Sequence, residues 1–373
     1  MRVTRIISML FIIALTSVFF GCGGGQGHFA GERVFVGLHG SPTDHFYQVN
    51  FVSGVEYWFP VFQGFKQAGN LLGVSTFYMG AIEYDASRQV DVFNQVLARN
   101  PRGIFVAPIT AEAFVEPIQR AIAQGVAVVT FAPDSPDSGR HAYITSDNVQ
   151  EGQTAARLIG QALGGQGKAM TLRNPGATNH DIRIDTFIAT IRAEFPGIEL
   201  VADIPTNQDP TVAYNAVMTV AQMHPDLGAV WMPEASSAIG AAQAAIELGG
   251  GTAEILIVHA DVNEQVLDMI IRGDIYAAIN PDQGMQGFFG MLMLFMAANP
   301  DLIEPMNGRR AQGLNPVNIP FVDNGLTIVT RENAQFFFLD EYARYLGYAN
   351  VAAMMQPGRG IPTHVRGMVT SQR

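Results

Sequence analysis

The chain has 373 residues, of which 48% are hydrophobic and 15% charged, and its formal net charge is −11. This composition is typical of a well-packed globular protein, and the length exceeds what one simple core accommodates, so two lobes are expected. The acidic balance disfavours binding to DNA or RNA.

The N-terminus has the pattern of an export signal. Arg2 and Arg5 precede an uncharged apolar run at 6–20, which is shorter than the about 20 residues that a membrane-spanning helix needs. The run leads to Cys22, the only cysteine in the chain. These residues resemble the lipobox of bacterial lipoproteins, with Phe19 where leucine is usual. The resemblance implies lipidation of Cys22, and the alternative is an ordinary cleaved signal with an unmodified cysteine.

Beyond this signal peptide (1–22), residues 23–32 are glycine-rich and predict a flexible tether with a span of roughly 17 Å. Short apolar runs then predict strands at 33–38, 74–79, 103–107, 126–131, 169–172, 198–202, 229–232, 255–258, 275–279 and 326–330. Helical spacing of apolar residues predicts helices at 59–72, 88–98, 111–124, 150–163, 181–194, 211–223, 236–248, 263–271, 283–298 and 333–346. We expect Gly125 to end its helix in the left-handed conformation. This alternation indicates α/β architecture with parallel sheets covered by helices on both faces.

Several segments follow one another in an order typical of one protein family. They are 126–131 with Asp134, 144–153 (ITSDNVQEGQ), 183–187 (RIDTF), 224–231 (HPDLGAVW), the pair Ala260 and Asp261, and 277–287 with its NPDQ sequence. Together they resemble the type 1 periplasmic sugar-binding proteins, the ribose- and galactose-binding and LacI-like group.

The resemblance implies two doubly wound parallel-sheet lobes joined by a three-segment hinge, the fold of type 1 periplasmic binding proteins. We expect residues 33–145 and 281–318 to form the N-terminal lobe, and 146–280 and 319–346 to form the C-terminal lobe. Residues 347–373 are expected to be a tail. Ligands of open α/β sheets lie at the carboxyl ends of the strands, so the cleft between the two sheets is the expected binding site.

An aromatic pair, Tyr57 and Trp58, precedes the first predicted helix. The resemblance implies that this pair stacks on a sugar ring, since the aromatic face and the C–H face of the sugar are both apolar and rigid. The alternative is a hydrophobic staple at the start of the helix. The segment before it, 39–55, is expected to be a long loop whose polar residues reach the cleft or are solvated. These polar residues are Asp44, His45 and Asn50.

Asp261 follows a buried apolar run and is expected to accept hydrogen bonds from sugar hydroxyls, because charged acceptors form the stronger hydrogen bonds. The alternative is an N-cap for the helix that begins near Asn263. Three further residues also follow strands, and each is expected to be either a ligand contact or a cap, turn or hinge residue. They are Asp134, Glu234 and Asn280.

Two residues of the helix at 181–194 complete the predicted ligand-binding set. Arg183 matches an arginine that is mainly structural in the family, and Asp181 occupies the position of the sugar-binding arginine. A cleft with Asp134, Asp181, Glu234 and Asp261 also suits a cationic or amino-bearing ligand, or a hard cation.

We therefore expect an extracytoplasmic solute-binding lipoprotein of an ABC importer that closes on a sugar or polyol. Its expected partners are the permease subunits and the membrane through the lipid anchor; a monomer with no cofactor, no resident metal and no nucleic acid is expected. The sequence has no Gly-x-Ser-x-Gly, His-Glu-x-x-His or Walker motif, so no enzyme is expected. The alternatives are a binding protein that serves a chemoreceptor or sensor kinase, and an enzyme that uses the cleft carboxylates as acid and base.

Overall fold

The computed structural model describes residues 39–353 except 176, 250–254, 303, 316, 346 and 352. The predicted signal peptide, Cys22, the tether and the predicted strand at 33–38 lie outside the described residues, as does the tail beyond 353. From Gly40 onward, the described residues belong to one compact unit.

The described chain alternates between strands and helices along most of its length. The strands are β1 (His45–Asn50), β2 (Ser75–Gly80), β3 (Gly103–Val106), β4 (Ala127–Phe131), β5 (Ala142–Thr145), β6 (Gln166–Arg173), β7 (Gly197–Pro205), β8 (Leu227–Met232), β9 (Leu256–Ala260), β10 (Ala277–Pro281), β11 (Ile319–Asp323) and β12 (Leu326–Val329). The helices are α1 (Trp58–Leu72), α2 (Ala86–Leu97), α3 (Val115–Ala123), α4 (Asn148–Ala162), α5 (Thr178–Glu194), α6 (Pro210–Met223), α7 (Ala235–Glu247), α8 (Glu264–Arg272), α9 (Gln283–Ala298), α10 (Glu304–Ala311) and α11 (Leu339–Tyr345).

The strands form two sheets with the same arrangement. The first has the order β11-β5-β4-β3-β1-β2 and the second β12-β10-β9-β8-β6-β7. The paired strands are parallel except for β10 and β12, which are antiparallel. Buried apolar clusters cover both faces of each sheet. The predicted fold class, two doubly wound lobes joined by a hinge, is confirmed.

Three segments carry the chain between the lobes. The first lies between β5 and α4, because α4 packs on α5 and β9 of the second lobe. The second lies between β10 and α9, which packs on α1 of the first lobe. The third is Asn324 and Gly325, between β11 and β12. This crossing lies about five residues after the predicted boundary at 318/319. Residues 319–323 form β11, which pairs in parallel with β5 and so belongs to the first lobe.

The structure corrects the prediction for 39–55. Residues 45–50 form β1, a central strand that pairs with β2 and β3. The error has a physical cause: Gln48 and Asn50 interrupt the apolar run, yet both are fully buried because the Gln48 Nε2 donates to Asn50 Oδ1 at 3.0 Å. Buried polar residues that hydrogen-bond to each other hide a strand from a hydrophobic pattern, and here the bond uses Gln48 Nε2 while Gln48 Oε1 has no partner.

Other local predictions have mixed outcomes. Gly125 has φ of 81°, as predicted for a left-handed helix end. The helix predicted at 333–346 is a 3₁₀ turn, Ala334–Phe337, followed by α11, because Phe338 between them adopts an extended conformation. The strands β5 and β11 and the helix α10 were not predicted; each is short, at four, five and eight residues.

Candidate functional site

The centre of the candidate site is Asp261, directly after β9. Its φ is 65°, a left-handed conformation that is uncommon in residues other than glycine. Its Oδ1 is buried and has no hydrogen-bond partner, and the Nη1 of Arg183 lies 3.9 Å from it. The cap of α8 is Asn263, whose side chain accepts from the Val266 amide at 3.0 Å. The alternative that Asp261 caps this helix is therefore wrong.

The nearest charged partner of Asp261 is Arg183. It projects from α5 and is only 3% exposed. Its Nε lies 2.6 Å from Glu151 Oε2, and Nε also donates to Asn148 Oδ1 at 3.0 Å. Its Nη1 donates to the carbonyl oxygen of Pro233 at 2.8 Å. The guanidinium is thus fixed by Asn148 and Glu151 in the first turn of α4 and by Pro233, directly after β8.

Burial shifts the protonation of both carboxyl groups around this guanidinium. Desolvation raises the pKa of Asp261 to about 6, with Arg183 opposing the rise and Glu234 adding to it. Desolvation also raises the pKa of Glu151 to about 7, and Arg183 again opposes the rise. Perturbed carboxyl groups that cluster in a cleft are typical of functional sites.

Tyr57 brings the first lobe to this cluster. It precedes α1, and its hydroxyl donates to Gln286 Oε1 at 3.2 Å. Burial raises the pKa of Tyr57 well above its usual value, and the nearby charge of Asp261 raises it further. Tyr57 belongs to the first lobe and Asp261 to the second, so the charge of Asp261 acts on a side chain of the opposite lobe.

Trp58 lies deeper than Tyr57. It is 2% exposed, and its ring makes edge contacts with Tyr57 at 4.9 Å, Phe51 at 4.9 Å and Phe131 at 5.6 Å. It belongs to the apolar cluster on one face of the first sheet. The ring that lies nearer the charged cluster is therefore that of Tyr57, and the buried Trp58 ring packs against it.

Glu234 follows β8, whereas Asn280 lies within β10 rather than after it, and both residues are buried. The Glu234 carboxylate caps α7, accepting from the Ser236 amide at 2.5 Å and the Ser237 amide at 3.1 Å. Asn280 exchanges two hydrogen bonds with Gln283, at 3.1 and 2.9 Å. The structure thus gives both residues local partners, at a helix start and beside a hinge segment.

Asp134 and Asp181 are each paired with an arginine. Asp134 accepts from Arg140 Nε at 2.8 Å and Nη2 at 2.6 Å. Asp181 lies 3.5 Å from Arg173 Nη1, and the same guanidinium also binds Asp185 and Asp203. The structure does not bring these two acids together with Asp261 into one unneutralised cluster.

The polar residues of the predicted loop separate to opposite ends of β1. Asp44 pairs with Arg102 at 3.7 Å, and His45 is the first residue of β1. Both lie at the amino end of the strand, away from the carboxyl ends where ligands bind. Asn50 ends β1 at the carboxyl end, and its Nδ2 donates to the Met79 carbonyl oxygen at 3.4 Å.

Sequence reasoning missed Glu151 and Gln286. Glu151 lies on the buried face of α4, on which Asn148, Gly152 and Ala155 are also buried. A carboxylate at helical spacing with small apolar residues is a signal that points to a buried charge and was available in the sequence. No comparable signal marks Gln286, which lies within an apolar helix.

The two sheets place Ala132 and Asp261 at equivalent positions. Ala132 follows β4 and Asp261 follows β9, and these strands occupy the same place in the two strand orders. Both residues are left-handed, with φ of 56° and 65°. The Tyr143 hydroxyl donates to the Ala132 carbonyl oxygen at 2.6 Å. Of the two equivalent positions, only the one in the second lobe presents a carboxylate.

A cavity of about 320 Å³ lies between the lobes, beside Tyr57. Glu56, Tyr57 and Pro60 line it from the first lobe. The remaining walls come from the start of α8, from the hinge near Asn280 and from the segment after β12. Those wall residues are Val262, Asn263, Glu264, Leu267, Asn280, Asp282, Gln283, Gly284, Thr327, Phe336, Phe337 and Leu339.

Neither a metal-binding cluster nor a membrane-spanning helix is found among the described residues. Within the described ranges, no group of three or more His, Cys, Asp or Glu side chains is placed to hold a metal ion. In the part of the chain that the structure covers, no helix combines the length and the apolar character needed to cross a bilayer.

Comparison with known proteins agrees with this geometry. Residues 46–300 match the family model described as periplasmic binding protein domain. The D-allose-binding periplasmic protein of Escherichia coli K12 is 25% identical over 67% of this chain and 83% of its own length. The xylose/arabinose-binding protein XylF of Sulfolobus acidocaldarius is 24% identical over 82% of this chain and 75% of its own.

Solved structures show the same likeness. The arabinose-binding protein AraP of Geobacillus stearothermophilus superposes with a TM-score of 0.74 at 30% identity, covering 80% of this chain and all of that one. A sugar-binding protein of a sugar ABC transporter from Bacillus halodurans has a TM-score of 0.74 at 29% identity, covering 79% of this chain and all of its own. The family model covers most of the chain and the two-lobed fold matches, so this chain belongs to the periplasmic binding proteins, in their type 1 sugar-binding group.

Proposed function

We propose that this protein is the solute-binding component of an ABC importer and binds a sugar or sugar-like polyol between its lobes by hinge closure. The observation that carries the proposal is the Asp261 Oδ1, a buried carboxylate oxygen without a hydrogen-bond partner. Such an oxygen is costly unless a donor reaches it, and a ligand hydroxyl supplies that donor. Tyr57 provides the adjacent aromatic surface from the opposite lobe.

A neutral ligand suits the site better than a cationic one. Asp134 is paired with Arg140, and Asp181 with Arg173. Glu234 is held at the positive end of α7, where the helix dipole and amides stabilise its charge. The acids predicted for the cleft other than Asp261 are thus each stabilised by a local partner, which favours hydroxyl donors over amines at Asp261, while Glu56, Glu264 and Asp282 line the adjacent cavity.

Hydrogen bonds connect the three hinge segments to one another. The backbone amide of Asn324 donates to the Thr145 carbonyl oxygen at 3.2 Å, and its Nδ2 donates to the Asp282 carbonyl oxygen at 3.0 Å. The Gln286 Nε2 donates to Asn324 Oδ1 at 3.4 Å. One residue therefore contacts all three connecting segments, and Gln286 joins them to Tyr57. These bonds support coupling between ligand contact and hinge angle.

The structure has a direct hydrogen bond between the lobes. The Glu264 amide, at the start of α8, donates to Glu56 Oε2 at 3.1 Å. Free amides at a helix start favour an anionic acceptor. This contact would break on opening, so it contributes to the closed form in addition to the ligand.

Family membership implies an extracytoplasmic location and a substrate-binding role. On that basis we propose that the ligand leaves chemically unchanged and passes to permease subunits, as the name of the Bacillus halodurans relative suggests for that protein. We further propose that Cys22 is lipidated and anchors the protein to the membrane. Cys22→Ser in the full chain should release the protein from the membrane fraction, and retention there would contradict the anchor.

A thermal-shift screen tests the ligand class. The panel contains arabinose, xylose, allose, ribose, polyols and amino-bearing metabolites of similar size. A ligand at 100 times its dissociation constant should add about 2.7 kcal/mol to the free energy of unfolding. Asp261→Asn should reduce that gain strongly, whereas the matched control Asp181→Asn should not. A response to amines alone would contradict the carbohydrate proposal.

A further inference from the structure

The segment after β12 is anchored in the second lobe. Ala334 is fully buried within the cluster that contains Val266 and Ile270 of α8, and Phe337 packs against the same cluster. The Thr330 amide donates to Asn333 Oδ1 at 2.8 Å and fixes the entry to this segment. The segment therefore starts as part of the second lobe.

The chain beyond α11 folds back on this helix. The Tyr348 amide donates to the Ala343 carbonyl oxygen at 2.9 Å, and the Val351 amide donates to Asp340 Oδ1 at 2.9 Å. Tyr348 is 7% exposed and packs with Ala343 in a small apolar cluster. These contacts give the end of the described chain a defined position.

Tyr348 reaches the first lobe. The Nζ of Lys66 lies 5.7 Å from the centre of the Tyr348 ring. Lys66 belongs to α1, which packs on α9 in the first lobe, and only 3% of it is exposed. Burial lowers the pKa of Lys66. A cation over an aromatic face is a stabilising contact, and it is strongest where water is excluded.

The same segment lines the cavity between the lobes. Phe336, Phe337 and Leu339 face Tyr57 and Pro60 across a space of about 320 Å³. The segment therefore runs along the gap between the lobes, with one end held by α8 and the other by Lys66. Its contacts to the two lobes are independent of the three hinge segments.

We propose that residues 334–345 and 347–351 form a strap that ties the second lobe to α1 of the first lobe and favours the closed conformation. The inference adds a fourth connection to the hinge closure proposed above and rests on that closure. Opening the lobes would separate Tyr348 from Lys66 while 334–337 remained on α8. Apparent affinity scales with the fraction of the protein that can adopt the closed conformation. The contact between Tyr348 and Lys66 would therefore raise affinity, although neither residue lines the cavity.

The test compares Tyr348→Leu and Lys66→Met with the control Tyr348→Phe, which keeps the aromatic face. Small-angle scattering of the ligand-free proteins gives the radius of gyration, and calorimetry gives the dissociation constant for whichever of arabinose, xylose or allose produces the largest thermal shift. For the first two variants we expect a larger radius of gyration and a dissociation constant raised by about 2- to 30-fold, the range that one cation–π contact spans. Tyr348→Phe should match the natural protein in both.

A chain that ends after Tyr345 provides a second route, because it loses Tyr348 but keeps the anchor on α8. It should behave like Tyr348→Leu. An unchanged radius of gyration and unchanged affinity, with only a lower melting temperature, would overturn the strap and leave the segment as a cover for the second lobe. The scattering comparison uses ligand-free proteins. If no sugar bound, the proposed function would be refuted, while the radius of gyration would still test the strap.

Discussion

Replacing Asp261 by Asn separates the role of its charge in ligand binding from its effect on folding. Asparagine keeps the size of the side chain and tolerates the left-handed backbone found here, with φ of 65°. Hydrogen bonds to charged groups contribute about 1.5–3 kcal/mol, and those between neutral groups about 1 kcal/mol. The loss of about 1–2 kcal/mol should raise the dissociation constant by about 5- to 30-fold.

The same substitution should stabilise the ligand-free protein. Burial raises the pKa of Asp261 from 3.8 to about 6, so the folded state disfavours the ionised carboxylate at pH 7. The interval corresponds to on the order of 3 kcal/mol, since one pH unit is worth about 1.4 kcal/mol. This value is an upper bound for two reasons. The Asp261 side chain is 21% exposed, and the substitution removes the carboxylate that faces the Arg183 guanidinium. Urea unfolding of both proteins at pH 7 measures the difference.

The pH dependence has opposite signs for folding and binding. The folded-state pKa of Asp261 lies above its ordinary value, so the folded state binds the proton more tightly and Asp261 destabilises the fold less as the pH falls from about 7 towards 4. Ligand affinity should instead fall as the pH drops through about 6, because the accepting carboxylate is lost. Asp261→Asn should flatten the pH dependence of affinity. A variant with unchanged affinity and lower stability would refute this reasoning.

Three further substitutions probe the scaffold of the site. Arg183→Met should lower the free energy of unfolding by about 3–5 kcal/mol, because it leaves Glu151 buried without its cation; adding Glu151→Gln should restore part of the loss in urea unfolding. Gly287→Ala should cost about 3 kcal/mol or more, since a Cβ would lie 1.7 Å from the Val61 carbonyl oxygen where α9 crosses α1; an unchanged melting temperature would contradict this close packing. Asn263→Ala should cost about 1 kcal/mol through the lost cap of α8, measured by urea unfolding.

The sequence alone determined the fold class and the position of its central carboxylate. Apolar runs of four to six residues that alternate with helical patterns allow few architectures, since each strand must be buried on both faces. The family motifs then supplied the order of the two lobes. The position of Asp261 follows from the same logic, because a polar residue directly after a buried strand lies at the carboxyl edge of the sheet.

Only the tertiary structure decided which charges remain available to a ligand. Asp134 and Asp261 both follow buried strands, yet the first accepts hydrogen bonds from Arg140, and Oδ1 of the second has no hydrogen-bond partner, with Arg183 3.9 Å away. The sequence carries no local pattern for that difference, because ion pairing depends on where side chains from separate turns and strands converge. The burial of Glu151 on Arg183 and the contact of Tyr348 with Lys66 have the same origin. Each joins residues far apart in the chain, and packing alone sets their distance.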